Sequence, residues 1–312
     1  MLWQVLWLFI PYRPTPSMAS KLPHVDLGAR KDGDLPSCMK LQNVHILFRH
    51  GDRTPLGELL NDSVPFEETW PLGRGQLTDE GVLQGFKLGM WLRQKYDFYF
   101  KQQYNASDFY VRSTDYDRTL TSAQAVAAGL YPQKSSPLEP YGIQWKPIPV
   151  HGVRKVMSRS SNEILQLEIG VFLKTFIQHL LVITSGDGTV TISGRQLKSQ
   201  HTVIYSAHDS HISYILGTLG VTTNEEVPYS SVIVFELLGP EPPSPIENYR
   251  LRLRYKQGHL DEVGEYRTLE PCAGRLGVDG CPLSLVLEHL EPYLLDEELY
   301  TMLCRGPSYS DA

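Results

Sequence analysis

The chain has 312 residues, enough to bury a sizeable core in one large domain or in one domain plus a smaller one. Its composition is that of an ordinary globular protein, which excludes wholesale disorder. A net charge of -6 speaks against a nucleic-acid partner, because no basic excess is available to neutralise a strand of phosphates; a local basic pocket on such a protein would instead concentrate a small anion.

The first residues, MLWQVLWLFI, are apolar and break at Pro11. The run is too short to span a bilayer. It has the length of the apolar part of a secretory signal but lacks a basic start and a clean small-residue cleavage site, so residues 1–37 read as a signal or as an irregular extension. NVHILF (43–48) then reads as a buried strand, ending abruptly in Arg49, His50, Asp52 and Arg53 around Gly51. Residues 77–96 read as a helix: Thr78 is a good N-cap, Asp79 and Glu80 suit the first turn, and Val82, Leu83, Phe86 and Met90 recur on one face. FYVRS (109–113) reads as a short strand, followed by a helix that Thr114 can cap and that Gly129 and Pro132 stop. Two glycosylation sequons, at Asn61 and Asn105, lean toward the secretory route.

Further on, Ser160 and Glu163 form a capping box before a strongly apolar helix. Glu163, Glu168, Lys174 and His179 argue against a membrane span there and for a packed core helix. TVIYSA (202–207) is another buried strand, and HDSHISYILGTLG a helix ending at Gly217 or Gly220. SSVIVFELL and YRLRLRYK look like antiparallel strands, the second alternating in and out; the Pro-rich GPEPPSP between them is a hairpin or surface loop. No apolar span follows residue 304, so no transmembrane anchor is expected.

The four cysteines are Cys38, Cys272, Cys281 and Cys304. No Cys-x-x-Cys pair exists, which argues against a zinc ribbon. Cys272 and Cys281 flank a Gly-rich loop that a local bridge would close in an oxidising compartment; free buried thiols are the alternative.

Strands alternating with helices predict an α/β fold with a largely parallel sheet flanked by helices. In such sheets ligands bind at the carboxyl ends of strands. Arg49 and His50 follow one buried strand, Arg112 follows a second at a helix start, and His208 with Asp209 follows a third. Singly, each has a plain structural reading: Arg112 could pair with Asp115, and His208 could be a satisfied buried histidine. Together they place three arginines, counting Arg53, two histidines and an aspartate on one rim. That set suits phosphoryl transfer. Arginine forks bind phosphate oxygens two at a time and spread the charge of the transition state. Their field also lowers the pKa of a histidine among them, leaving it unprotonated and nucleophilic in mild acid. A carboxylic acid opposite can protonate the leaving oxygen. His45, His208, Asp209 and His211 could be combined into a metal site, but His45 lies mid-strand and His211 is more simply a helix residue, so no metal is expected.

FRHGDRTP resembles the Arg-His-Gly-x-Arg-x-Pro signature of the histidine acid phosphatases, and AHD (207–209) resembles that family's second signature. VRSTDYDRT (111–119) looks like the segment carrying its third arginine. WPLGRGQLTDEG, PIPVHGV and PCAGRLGVDGCPL resemble other stretches of the animal lysosomal and prostatic branch, so the likeness runs from Cys38 to Cys304. It implies a histidine phosphatase (phosphoglycerate mutase-like) domain over 38–304, followed by a tail at 305–312. It implies hydrolysis of phosphate monoesters through a phosphohistidine, with His50 as nucleophile and Asp209 as proton donor. Arg49, Arg53, Arg112 and His208 would bind phosphate. No metal or cofactor, a small phosphomonoester substrate, a homodimer, and a secreted or lysosomal-lumen location are also implied. Relative to that pattern most of a helical cap is missing, only 153–200 standing in its place. Val232 stands where a cysteine that pairs into the cap is expected. Cys304, whose partner also lies there, is free or re-paired, for instance with Cys38. Phytase-like or lysophospholipid phosphatase activity, and an inactive phosphate-binding form without the cap, are the other readings.

Overall fold

The computed structural model describes residues 39–58, 64–133, 135–153, 165–186, 189–192, 195–198, 202–223, 226–241, 243–274 and 277–296. Cys38, Cys304, Asn61, the Ser160–Glu163 capping box and both termini lie outside them.

The apolar run at 43–48 forms the middle of β1 (Lys40–Arg49). The next elements are α1 (Phe66–Thr69), α2 (Asp79–Lys95), β2 (Phe109–Thr114), α3 (Asp117–Leu130) and β3 (His151–Val153). Then come α4 (Val171–Ser185), a small hairpin of β4 (Thr189–Ile192) and β5 (Arg195–Lys198), β6 (Thr202–Ala207) and α5 (Asp209–Thr218). The chain continues through β7 (Val232–Gly239), β8 (Arg250–Lys256), β9 (Glu265–Arg267), β10 (Cys281–Pro282) and α6 (Leu283–Leu290). The main sheet runs β10-β8-β7-β1-β6-β2-β3, with β9 also on β8. Strands β1, β6, β2 and β3 are mutually parallel, while β7 runs antiparallel to β1 and β8 antiparallel to β7. The parallel half matches the expected class; the other half is an antiparallel extension built by the hairpin through GPEPPSP.

Side chains alternate across β1, so Val44, Ile46 and Phe48 face one layer and His45 and Leu47 the other. On the first face lie α2 and α3, through Leu88, Leu92, Val126 and Leu130. On the second lie α4, α5 and α6, through Leu173, Phe176, Ile215 and Val286. This division positions the site. The chain leaves β1 for the α2 face and leaves β6 for the α5 face, although β1 and β6 are neighbours. Diverging connections open a crevice at the carboxyl ends of that strand pair.

Helix α2 begins as expected, Thr78 accepting a hydrogen bond from Gly81 N. Its buried stripe differs from the expected one. Val82, Leu83 and Phe86 are exposed, and Gly81, Gly85 and Gly89 face inward with Leu88 and Leu92. Glycine spacing outcompetes the apolar spacing because it lets two backbones meet. A Cβ on Gly89 would lie 2.1 Å from Val126 O, and one on Gly129 would lie 2.1 Å from Phe86 O. Gly129 is therefore a packing residue inside α3 and not its stop signal. Gly89→Ala should cost about 1–3 kcal/mol through overpacking. Equilibrium urea unfolding would check this; an unchanged midpoint would mean that the helices separate freely.

Strand β8 also departs from the expected alternation. Arg252, Arg254 and Lys256, the positions expected to face water, are buried. They lie under β9 and the α2 face, where Glu236 of β7 accepts from Arg252, Tyr96 and Tyr266. Arg254 donates to Gly264 O and Lys256 to Gly258 O. A buried cation needs such partners, and the periodicity of one strand cannot reveal them. The run Glu168–Ser185, at mean hydropathy 1.2, is long and apolar enough to cross a membrane by length and composition alone. Here its Leu173, Phe176, Ile177 and Leu180 fill the core, and His179 Nδ1 meets His45 Nε2 at 2.8 Å. Cys272 and Cys281 form a disulfide.

Candidate active site

Gly51 determines how the first motif turns. A Cβ there would lie 2.2 Å from Gly81 O, so only glycine allows the loop to rest on the first turn of α2. The loop is then pinned from both covering helices. Gly51 N donates to Ser122 Oγ on α3, and Asp52 N to Gln84 Oε1 on α2. Asp52 serves this turn, its carboxylate accepting from Thr78 Oγ1 at 2.7 Å. His50 N donates to Ala207 O, joining the ends of β1 and β6.

His50 is consequently buried and fixed at both ring nitrogens. Nδ1 lies 2.7 Å from Gly51 O, which can only accept, so Nδ1 carries the proton. Nε2 is then a lone pair, and Arg118 Nε donates to it at 3.2 Å. Burial pushes the His50 pKa down to about 4; the bond to Gly51 O opposes the shift, and Arg118, Arg49 and Arg53 add to it. The imidazole is therefore neutral in mild acid, with desolvation rather than the arginines as the larger cause.

Arg118, at the start of α3, occupies the place anticipated for Arg112. Arg112 stands opposite Tyr205 and His151 in the sheet, on the α4 face, and its charge is felt at the Tyr205 hydroxyl. No contact among the described residues joins Arg112 to His50, Arg49 or Arg53. Strand parity accounts for the difference: Tyr110 and Arg112 share the second face, whereas the rim is reached from the helix that follows. Asp117-Arg118, within VRSTDYDRT, was the available signal. Thr114, expected to cap α3, ends β2 instead, and its hydroxyl meets His208 Nε2 at 3.0 Å.

The remaining anticipated residues converge on the same rim. The His208 ring is 5.5 Å from that of His50. Arg49 Nη2 pairs with Asp209 Oδ2 at 3.0 Å, where the Asp209 side chain is 50 % exposed. Arg53 lies close enough for its charge to act on both His50 and Arg118, and its Nη1 donates to Thr54 O. Two tyrosines went unnoticed in the sequence. Tyr229 lies under the Arg49 guanidinium at 4.0 Å, and Tyr116 under that of Arg118 at 4.6 Å. Among the described residues, no group of three or more His, Cys, Asp or Glu side chains could hold a metal ion.

A buried imidazole with an unprotonated Nε2, ringed by three guanidiniums and one carboxylate, can accept a phosphoryl group. Residues 40–167 match the family model described as the histidine phosphatase superfamily (branch 2). That segment is similar to this superfamily. The chain is 49 % identical over 113 residues to lysosomal acid phosphatase of Homo sapiens, covering 36 % of this chain and 26 % of that protein. It is 39 % identical over 136 residues to prostatic acid phosphatase of Bos taurus, covering 44 % and 33 %. The matched stretch thus spans only about a quarter to a third of the length of these relatives. Among solved structures, Hafnia alvei phytase in complex with tartrate shares the fold at a TM-score of 0.58 and 13 % identity, with 83 % of this chain and 98 % of that one covered. The fold shared with that phytase therefore extends beyond the segment matched in sequence.

The depressed His50 pKa has a consequence for stability. Unfolded, His50 takes up a proton near 6.5; folded, it stays neutral until about pH 4. Between those values the unfolded chain holds more protons, so stability falls as pH drops through the window and is fully present above it. Buried His45, whose pKa is also lowered by desolvation and by His179, acts in the same direction. His50→Asn should flatten the slope of unfolding free energy against pH between 6.5 and 4 without abolishing it. Urea unfolding across that range checks this, and an identical slope in the variant would count against the assigned protonation state.

Proposed function

We propose that this chain hydrolyses phosphate monoesters in mild acid through a phosphohistidine on His50. The observation that carries the reading is the buried, unprotonated His50 Nε2 held at 3.2 Å by Arg118 Nε, with Asp209 beside it on Arg49. In this reading Arg49, Arg53, Arg118 and His208 hold the phosphoryl oxygens and Arg118 turns its donor from Nε2 to one of them. Nε2 attacks phosphorus, and the P–O bond to the alcohol breaks as Asp209 gives that oxygen its proton. Water then attacks the phosphohistidine, Asp209 takes the water's proton, and inorganic phosphate leaves with Nε2 restored.

The test is turnover of p-nitrophenyl phosphate near pH 5 by the wild type and by His50→Ala, with tartrate added as an inhibitor because it is bound in the Hafnia alvei phytase structure. Turnover lost in His50→Ala and resistant to a chelator supports the reading. Phosphate binding without turnover would favour the inactive phosphate-binding form. Likeness to the phytase fold favours inositol phosphates as a second substrate class, to be compared with lysophospholipid phosphates.

Secretory or lysosomal delivery, glycosylation and pairing of two copies belong to the same proposal. Delivery and glycosylation are supported by relatives named lysosomal and prostatic acid phosphatase, by the Cys272–Cys281 bridge, and by the exposed turn that carries Asn105. Glycosidase treatment of secreted protein should lower its mass, and light scattering reads the copy number.

A further inference from the structure

We propose that Tyr229 is a positioning residue that fixes the Arg49 guanidinium for phosphate binding. The inference rests on the phosphatase reading above and deepens it. The turn between α5 and β7 grips Arg49 and His50 at several points. Ser231 O accepts from Arg49 N at 2.9 Å, and Ser230 N donates to His50 O at 3.3 Å. Val227 O accepts from Arg49 Nη1, and the Tyr229 ring lies 4.0 Å from Arg49 Cζ and 5.7 Å from the His50 ring.

This turn is held against local preference. Among the described residues, Ser230 alone combines a side chain with a positive φ, at 59°. It is buried, and its Oγ finds no hydrogen-bond partner. The backbone is locked nonetheless: Ser231 Oγ donates to Pro228 O at 2.7 Å and accepts from Gly258 N at 2.9 Å. Strained residues persist where the surroundings over-determine them, and they cluster at pre-organised sites.

The grip matters because of which Arg49 donors it uses. Nη1 goes to Val227 O, Nη2 goes to Asp209, and Nε is buried with no hydrogen-bond partner. When phosphate arrives it competes for Nη2 and releases the Asp209 carboxylate. Arg49 is then left with one carbonyl bond and the ring face of Tyr229. A cation over a desolvated aromatic face is attracted by the ring quadrupole. The ring thus keeps the guanidinium in place after its counter-ion has gone.

The test is the affinity for inorganic phosphate, by titration calorimetry near pH 5 on the full chain. Tyr229→Leu and Tyr229→Met remove the ring face and should each weaken phosphate binding about tenfold. Thermal melting should stay near that of the wild type. Tyr229→Phe keeps the face and should bind within about twofold of wild type, a rescue that a loss through misfolding would not give. In an Arg49→Ala background, Tyr229→Leu should have little further effect, because the ring acts through Arg49. Wild-type binding with unaltered affinity in both aliphatic variants overturns this proposal alone. So does a loss that persists in full without Arg49, or a loss as large in Tyr229→Phe. A wild-type chain that binds no phosphate overturns the phosphatase reading, and this proposal with it.

Discussion

Arg118→Ala is expected to lower turnover of an aryl phosphate by about 10²–10³-fold, the usual loss for one donor to a developing anion. Arg112→Ala is expected to leave turnover nearly intact. The contrast follows from placement. Arg118 Nε reaches the nucleophilic nitrogen at 3.2 Å, whereas Arg112 sits on the α4 side of the sheet beside Tyr205. Arg118→Ala also removes one of the charges that depress the His50 pKa, so the acidic limb of the rate profile should move toward higher pH. Desolvation remains the larger cause, so the movement should be modest. Arg49→Ala with Arg118→Ala should lose less than the product of the single losses, since groups that grip one phosphoryl act as a unit. Initial rates with p-nitrophenyl phosphate at several pH values decide the matter. A large loss in Arg112→Ala with a small one in Arg118→Ala would reverse the assignment of the third arginine.

That reversal from expectation marks where sequence reading stops. Strand ends are legible, because an apolar run such as NVHILF or TVIYSA finishes where polar residues begin. His50, Arg49, His208 and Asp209 could therefore be placed on one rim by position alone. Arg118 was not, because an arginine in a first helical turn is indistinguishable in sequence from a surface charge. Its place on the rim emerges only when α3 is docked, and that docking depends on Gly89 of α2 meeting Gly129 across a bare backbone contact, with Gly85 against Ala125 and Ser122. Glycine carries no periodic apolar signal, so Val82, Leu83 and Phe86 suggested the wrong face. Likewise Arg252, Arg254 and Lys256 looked solvent-facing because their partners come from elsewhere: Glu236 and Tyr266 for the two arginines, Gly258 O and the Trp91 ring for Lys256. Tyr229 escaped notice for the same reason: its meaning lies in Arg49, far away in the chain. The local bridge between Cys272 and Cys281, by contrast, needs only a short loop and was readable.

Asp209→Asn is expected to slow turnover of alkyl phosphates severely and of aryl phosphates much less. The proposed mechanism needs His50 neutral while Asp209 is protonated, although ordinary values of about 6.5 and 3.9 favour the reverse. His50 meets its half of the requirement in the free protein, with its pKa pushed down to about 4. The Asp209 carboxylate is paired with Arg49 at 3.0 Å. Bound phosphate supplies the change. It takes Arg49 for itself, which removes a cation from Asp209, and it adds a nearby anion; both favour the protonated acid. Rising pH should therefore remove the proton from Asp209 and end turnover on the alkaline side. Asparagine keeps the shape but can neither give nor take that proton. An alkoxide leaving group needs the proton and a phenolate needs it less, so the aryl loss should be smaller. If water attack also requires the carboxylate as base, phosphohistidine should accumulate from the aryl substrate in Asp209→Asn. Rapid quenching with labelled substrate, followed by acid and alkali treatment, reads this directly. Label that survives alkali, is lost in acid and is absent from His50→Ala supports the scheme. Equal losses on both substrate types, or an active enzyme that never carries covalent phosphate, would eliminate Asp209 as the donor and His50 as the nucleophile respectively.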